Sequence, residues 1–190
     1  MLKMSLNKIR GQIQLYPENW VNIEGTNCYA YALGLDISEE NICQYAYQPG
    51  IISNISNPIN EEEYYSYDNL VMRVESDFRI LGISYREINP DYQINSDEWK
   101  VALMIYNDNI YDDLLCDFHF LRTSKNGKWM HKTGYYDIPT KKDYSNQIIT
   151  DPRECDLIFY EYKHSDVYRY EYIQRLVYKH IFLCSTSEKA

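Results

Sequence analysis

The chain is poor in glycine, with 7 among 190 residues, and none of them forms a GxxxxGK or GxGxxG phosphate cradle. No stretch approaches the ~18 consecutive apolar residues of a membrane-spanning helix. Positive charge is also scarce. Against 28 acidic residues stand 19 basic ones, leaving a formal charge of −9. A nucleic-acid binder needs a basic face to neutralise phosphate, so no nucleic-acid partner is expected. The same excess argues against anionic membrane surfaces. The 5 cysteines, at 28, 43, 116, 155 and 184, are odd in number and irregular in spacing, which excludes an ordinary disulfide framework. There is no CxxC knuckle. A zinc site from Cys28, Cys43, His119 and His131 would lack the paired close spacings that structural zinc uses. No metal and no cofactor are therefore expected. The opening MLKMSLNKIRGQIQLYPENW carries basic residues without an apolar core behind them, so it does not read as an export signal. Reduced thiols and that absence predict a cytoplasmic protein, with action outside the cell requiring a specialised route.

What is present is a globular composition. Apolar residues make up 45% and charged residues 25%. The length suits one domain, 1–190, with a lead-in over 1–25 and a core over 26–185. Tyrosine is abundant, at 21, and mean hydropathy is −0.56. Each tyrosine buries a ring but keeps a hydroxyl that needs a partner, which predicts a core with wet edges. Residues 26–34 read as a short helix, with Thr26 as N-cap and Gly34 as C-cap. Residues 48–60 read as a loop. Leu70, Val71, Val74, Phe78 and Leu81 recur at helical spacing within 61–81, and Gly82 ends that helix. Strand-like runs follow at 83–88, 100–106, 117–122, 128–132 and 156–162. Asn126-Gly127 lies between two of them and signals a hairpin. Residues 167–184 fit either an amphipathic helix or a last strand. Helices first and a mostly antiparallel sheet second make an α+β architecture.

Three residues have the chemistry of a nucleophile, a base and an orienting group. Cys28 falls in the first turn of the predicted helix, where unpaired N–H groups favour a thiolate and can hold an oxyanion. Equally, a free cysteine is commonly a small buried hydrophobe. His119 alternates with Phe118 and Phe120, so the phenylalanines face the core and His119 looks to the other side, where the Cys28 helix is expected to pack. His131 follows on the next strand, across the turn, within reach of His119. There it can fix the tautomer of His119, completing a nucleophile–base–orienter set. Asp117 and Asp151 are alternative third residues. Asn27 is a candidate oxyanion helper that can instead cap the helix. Tyr29, Trp129 and Lys132 are candidates for lining a substrate cleft, with core packing the alternative for the aromatics.

The segments Asn27-Cys28-Tyr29-Ala30-Tyr31-Ala32-Leu33, Gln48-Pro49-Gly50, Asp117-Phe118-His119-Phe120 and Gly127-Lys128-Trp129-Met130-His131-Lys132 resemble bacterial proteins of the NlpC-type branch of the papain-like cysteine peptidases. The resemblance spans about residues 20–135. It implies a papain-like fold, a Cys28–His119–His131 triad, an acyl-enzyme on an amide or peptide bond, and a peptide or protein substrate. Glutamine deamidation or transamidation would use the same triad. The competing reading is a non-catalytic interaction or immunity-type protein on the same scaffold.

Overall fold

The computed structural model describes residues 26–35, 48–55, 67–106, 118–133, 137–162 and 171–185. Within these, two helices precede six strands: α1 (Cys28–Leu33), α2 (Tyr67–Leu81), β1 (Ser84–Glu87), β2 (Glu98–Tyr106), β3 (Phe118–Thr123), β4 (Trp129–His131), β5 (Ile158–Tyr162) and β6 (Glu171–Ser185). The α+β class is observed. The strand order is β1-β6-β2-β3-β4, with β5 paired to β6 off that path, and every pairing is antiparallel. The segment left open between helix and strand is thus a strand over Glu171–Ser185. None of the described helices is long and apolar enough to cross a membrane.

Local chemistry explains the boundaries. The N-cap of α1 is Asn27, not Thr26: its Oδ1 accepts from the Ala30 N–H at 2.9 Å. Asn27 has extended backbone, as a cap requires, and Gly34 closes the helix in the left-handed region at φ 74°. Between β3 and β4 the hairpin closes when the Ser124 N–H donates to Lys128 O. Only Gly127 takes a positive φ there, so the connection is a three-residue loop with a left-handed last residue rather than a two-residue turn.

The sheet has two unlike faces. On one, α1 and α2 pack over Trp99, Val101, Leu103, Ile105, Phe118, Phe120, Phe182 and Cys184. The apolar stripe of α2 (Leu70, Val74, Phe78, Leu81) supplies the helical half of this core. Tyr29 of α1 lies on Phe120 with ring centroids 4.9 Å apart. Arg122, buried on this face, donates to the carbonyls of Tyr31 and Ala32, and Trp99 Nε1 donates to Ala32 O. These bonds satisfy carbonyls that the end of a short helix leaves open. Asp77, on the buried stripe of α2, accepts from Tyr29 Oη at 2.8 Å and from the N–H groups of Gly50 and Ser53 at 2.7 Å each. One carboxylate thereby ties α1, α2 and the 48–55 loop together. Gly50 sits at φ +94°, and a Cβ there would lie 3.1 Å from Arg73 Cγ and Cδ, so the loop's close approach to α2 needs glycine.

The second face holds a smaller cluster: Ala102, Met104, Leu121, Trp129, Ile149, Leu157 and Ile181. Among the described residues its cover comes from the 137–157 segment, which has no helix. A bridge between His131 and Thr140, and another between Lys142 and Ile148, attach that segment to the end of β4 and fold it on itself.

Candidate functional site

Strand register decides which side chains share a face. His119 stands opposite Met104, and His131 opposite Leu121, and both partners belong to the second cluster. The phenylalanines of β3 face the helices, as alternation predicts. The helices, however, cover the phenylalanine face. The expectation that His119 looks onto the Cys28 helix is therefore corrected: α1 packs through Tyr29 on Phe120, and a sheet one strand thick separates that face from the imidazoles. Period-two alternation fixes relative facing along a strand, but not which face a distant helix chooses.

The two histidines do meet. They are diagonal neighbours on one face, and His119 Nε2 lies 2.9 Å from His131 Nδ1 with the rings nearly perpendicular, at 87°. His131 Nε2 lies 2.9 Å from the carbonyl of Lys142. A carbonyl can only accept, so Nε2 of a neutral His131 carries the proton and its Nδ1 is the acceptor. His119 must then donate from Nε2, which makes Nδ1 its basic nitrogen. The chain His119→His131→Lys142 carbonyl thus selects one tautomer for each ring. Burial pushes the His119 pKa well below the ordinary imidazole range, and the neighbouring His131 adds to the shift. Burial also lowers His131, against the Lys142 carbonyl and the charges of Asp143 and Asp137, which favour its cation. Burial thus disfavours the charged form of both rings, with His119 at 0% exposure and His131 at 2%.

Beside the pair opens a cleft of about 340 Å³, lined by His119, His131, Thr133, Thr140, Lys142, Asp143, Tyr144, Asn146 and Leu157. Its wall is a small hairpin: Asp143 and Gln147 bond through their backbones, Asn146 takes φ 63°, and Lys142 Nζ donates to Asn146 Oδ1 at 2.8 Å. Tyr144 is 52% exposed at the cleft and Ile148, in the same hairpin, 51%. This wall went unrecognised in the sequence, where only the turn-forming cluster Lys142-Asp143-Tyr144-Ser145-Asn146 hinted at it.

The other candidates are dispersed. Asp151 is held by Arg153 through hydrogen bonds that lower its pKa, and it is not among the cleft-lining residues. Asp117 lies outside the described residues. Asn27 Oδ1 is occupied as the helix cap. Tyr29 is core, bonded to Asp77, and Trp129 is core on the histidine face. Lys132 is fully buried and, by alternation from His131, faces the helices. Cys28 is half-buried against the helix-face core, and Cys43 lies outside the described residues. Among the described residues, no group of three or more histidine, cysteine, aspartate or glutamate side chains is arranged to hold a metal ion.

No family model, no curated protein and no solved structure matches this chain.

Proposed function

We propose that the protein is an interaction protein that recognises a peptide or protein partner through the cleft beside His119 and His131. The observation that carries this reading is the separation of Cys28 from the imidazole pair by the sheet. A cysteine hydrolase needs nucleophile and base within hydrogen-bond reach, and here the register argues against it. The cleft offers what recognition needs: an exposed aromatic, Tyr144, amid polar groups (Thr133, Lys142, Asp143, Asn146) on a loop held by a regular sheet. On this reading the histidine relay is structural and clamps the cleft wall to β4.

A second reading, a papain-like cysteine hydrolase of the NlpC type acting on an amide bond, rests on a specific observation of its own. The relay gives His119 the single tautomer that a general base requires. It also needs Cys28 and His119 to come together in a rearranged state.

Two measurements decide between them. Peptides selected from a random display library on the wild-type protein should lose about ten-fold or more in affinity on Tyr144→Ala. Selection of peptides indifferent to Tyr144→Ala and Lys142→Glu would count against the cleft. In parallel, turnover of a panel of peptide amides and acyl esters should show no joint dependence on Cys28 and His119. Activity abolished equally by Cys28→Ala and His119→Ala, with both variants folded, would establish the hydrolase instead.

A further inference from the structure

The segment over the histidine face concentrates exposed apolar surface. Of the six large apolar side chains that stand exposed among the described residues, three (Ile138, Tyr144 and Ile148) belong to it. Single exposed apolar residues are ordinary, but a group of them on one loop beside a cleft marks a place where something docks. Charge gathers there too, with a sign opposite to that of the whole. Residues 124–142 hold five lysines and one aspartate, in a chain of net charge −9. Lys132 is buried. That leaves Lys125 and Lys128 at the tip of the β3–β4 hairpin and Lys141 and Lys142 at the cleft wall, all four exposed. Lys128 precedes His131 by three residues on the same hairpin arm, about 10 Å along the strand.

The cations and carboxylates of this region are engaged differently. Asp143 accepts from the N–H groups of Gln147 and Asp156, at 2.8 and 3.2 Å, and Asp137 accepts from the Thr133 hydroxyl at 2.6 Å. Those carboxylates serve the segment's own fold. Lys142 Nζ donates only to a neutral amide, Asn146 Oδ1, and neither Lys141 nor Lys142 is ion-paired among the described residues. An ammonium has three donors, so Lys142 keeps both charge and donors for a partner. The main chain beneath is anchored. Lys142 O meets His131 Nε2, the Lys142 N–H donates to Thr140 Oγ1 at 3.1 Å, and Lys141 O accepts from the Ile149 N–H at 2.8 Å. Both ammonium groups therefore rise from a fixed backbone, which lowers the ordering cost of binding.

We infer that the cleft takes an acidic peptide: an extended segment of a partner protein that lays an apolar side chain on Tyr144 and Ile148 and sets aspartate or glutamate carboxylates against Lys141 and Lys142. This rests on the cleft reading above and gives the partner its chemistry. Carboxylate is favoured over phosphate because the exposed cations are lysines. Arginine is the better fork for phosphate and nucleic acid, and the one arginine of the 137–157 segment, Arg153, is already held by Asp151 and Asp91. The net negative charge of the chain disfavours an acidic segment elsewhere and so directs it here.

The test uses the full chain and three sets of synthetic peptides, each with a central tryptophan flanked by glutamate, by glutamine or by lysine, with affinity read by fluorescence anisotropy. The glutamate set should bind about ten-fold more tightly than the glutamine set at low salt, and the advantage should shrink as ionic strength rises. In the double variant Lys141→Gln, Lys142→Gln the advantage should vanish while the glutamine set binds as before. Tyr144→Ala should weaken both sets alike. Equal binding of all three sets, each weakened by Tyr144→Ala, would overturn the acidic preference and leave the cleft reading standing. Binding of the glutamate set unmoved by Tyr144→Ala would overturn both. A single-stranded oligodeoxythymidylate bound more tightly than the glutamate set would put nucleic acid in place of the peptide. Self-association abolished by Tyr144→Ala would assign the patch to a second copy of this chain, and the inference would fail.

Discussion

The two faces of the sheet are covered in different ways. The helix face is closed by apolar stripes and by buried polar groups with several partners each, as at Asp77 and Arg122. The histidine face is covered, among the described residues, by a loop whose backbone is tied down at a few bridges and by the two imidazoles. A helix satisfies its own backbone and can press a continuous stripe onto a sheet. A loop must find partners one by one, and it leaves a cleft where it lifts away. Closed packing belongs to one side and an open cleft to the other.

That contrast can be broken by experiment. The largest effect should follow Phe120→Ala on the helix face, at about 4 kcal/mol, against about 2–3 kcal/mol for Leu121→Ala on the loop-covered face, which can relax into the gap. Urea unfolding of the two variants measures the difference, and equal costs would mean that the loop packs as rigidly as the helices. Asp77→Ala comes next, at about 3 kcal/mol, because it strands the donors of Tyr29, Gly50 and Ser53 in the interior. Its unfolding midpoint should lie well below that of Asp77→Asn, which keeps an acceptor oxygen.

The third prediction concerns pH. Burial lowers the folded-state pKa values of His119 and His131, and also of His180 despite the nearby charge of Glu87. Below the unfolded value of ~6.5 the unfolded chain binds protons that the folded chain refuses. This contribution is fully present above that pH and is lost as the pH falls below it. The slope reaches up to about 1.4 kcal/mol per pH unit for each histidine. Denaturant midpoints measured from about pH 7.5 down to 5 should fall accordingly, and His131→Gln should flatten the curve. A curve unchanged by that substitution would mean that His131 titrates alike in both states. The smallest effect is expected for Asp151→Asn. Its ion pair with Arg153 is open to solvent, so it should cost about 0.5 kcal/mol, within the scatter of a thermal melt repeated at high salt.

Particular residues show how far the sequence could be read. The stripe of α2 is legible because Leu70, Val74, Phe78 and Leu81 repeat at the helical period, and the hairpin because Asn126-Gly127 interrupts two strand-like runs. Asp77 was legible in principle, since a carboxylate at that point of the repeat falls on the buried stripe. The proximity of His119 and His131 followed from hairpin geometry. The side of the sheet taken by Cys28 did not, since about 90 residues separate it from the strand it was matched to, and no local rule spans that gap. Residues 171–185 were ambiguous for a related reason: as the strand between β1 and β2, β6 owes its state to partners distant in sequence.

Periodicity, capping and turn chemistry, all interactions among near neighbours, were enough to specify the two helices, most of the strands and the imidazole contact. Which face each helix covers, and so which chemistry each side chain can reach, was decided only when distant segments packed. Burial of the Tyr29–Phe120 pair put Cys28 on the helix-covered face and left the histidines on the other, because apolar surface is buried by area and not by order along the chain.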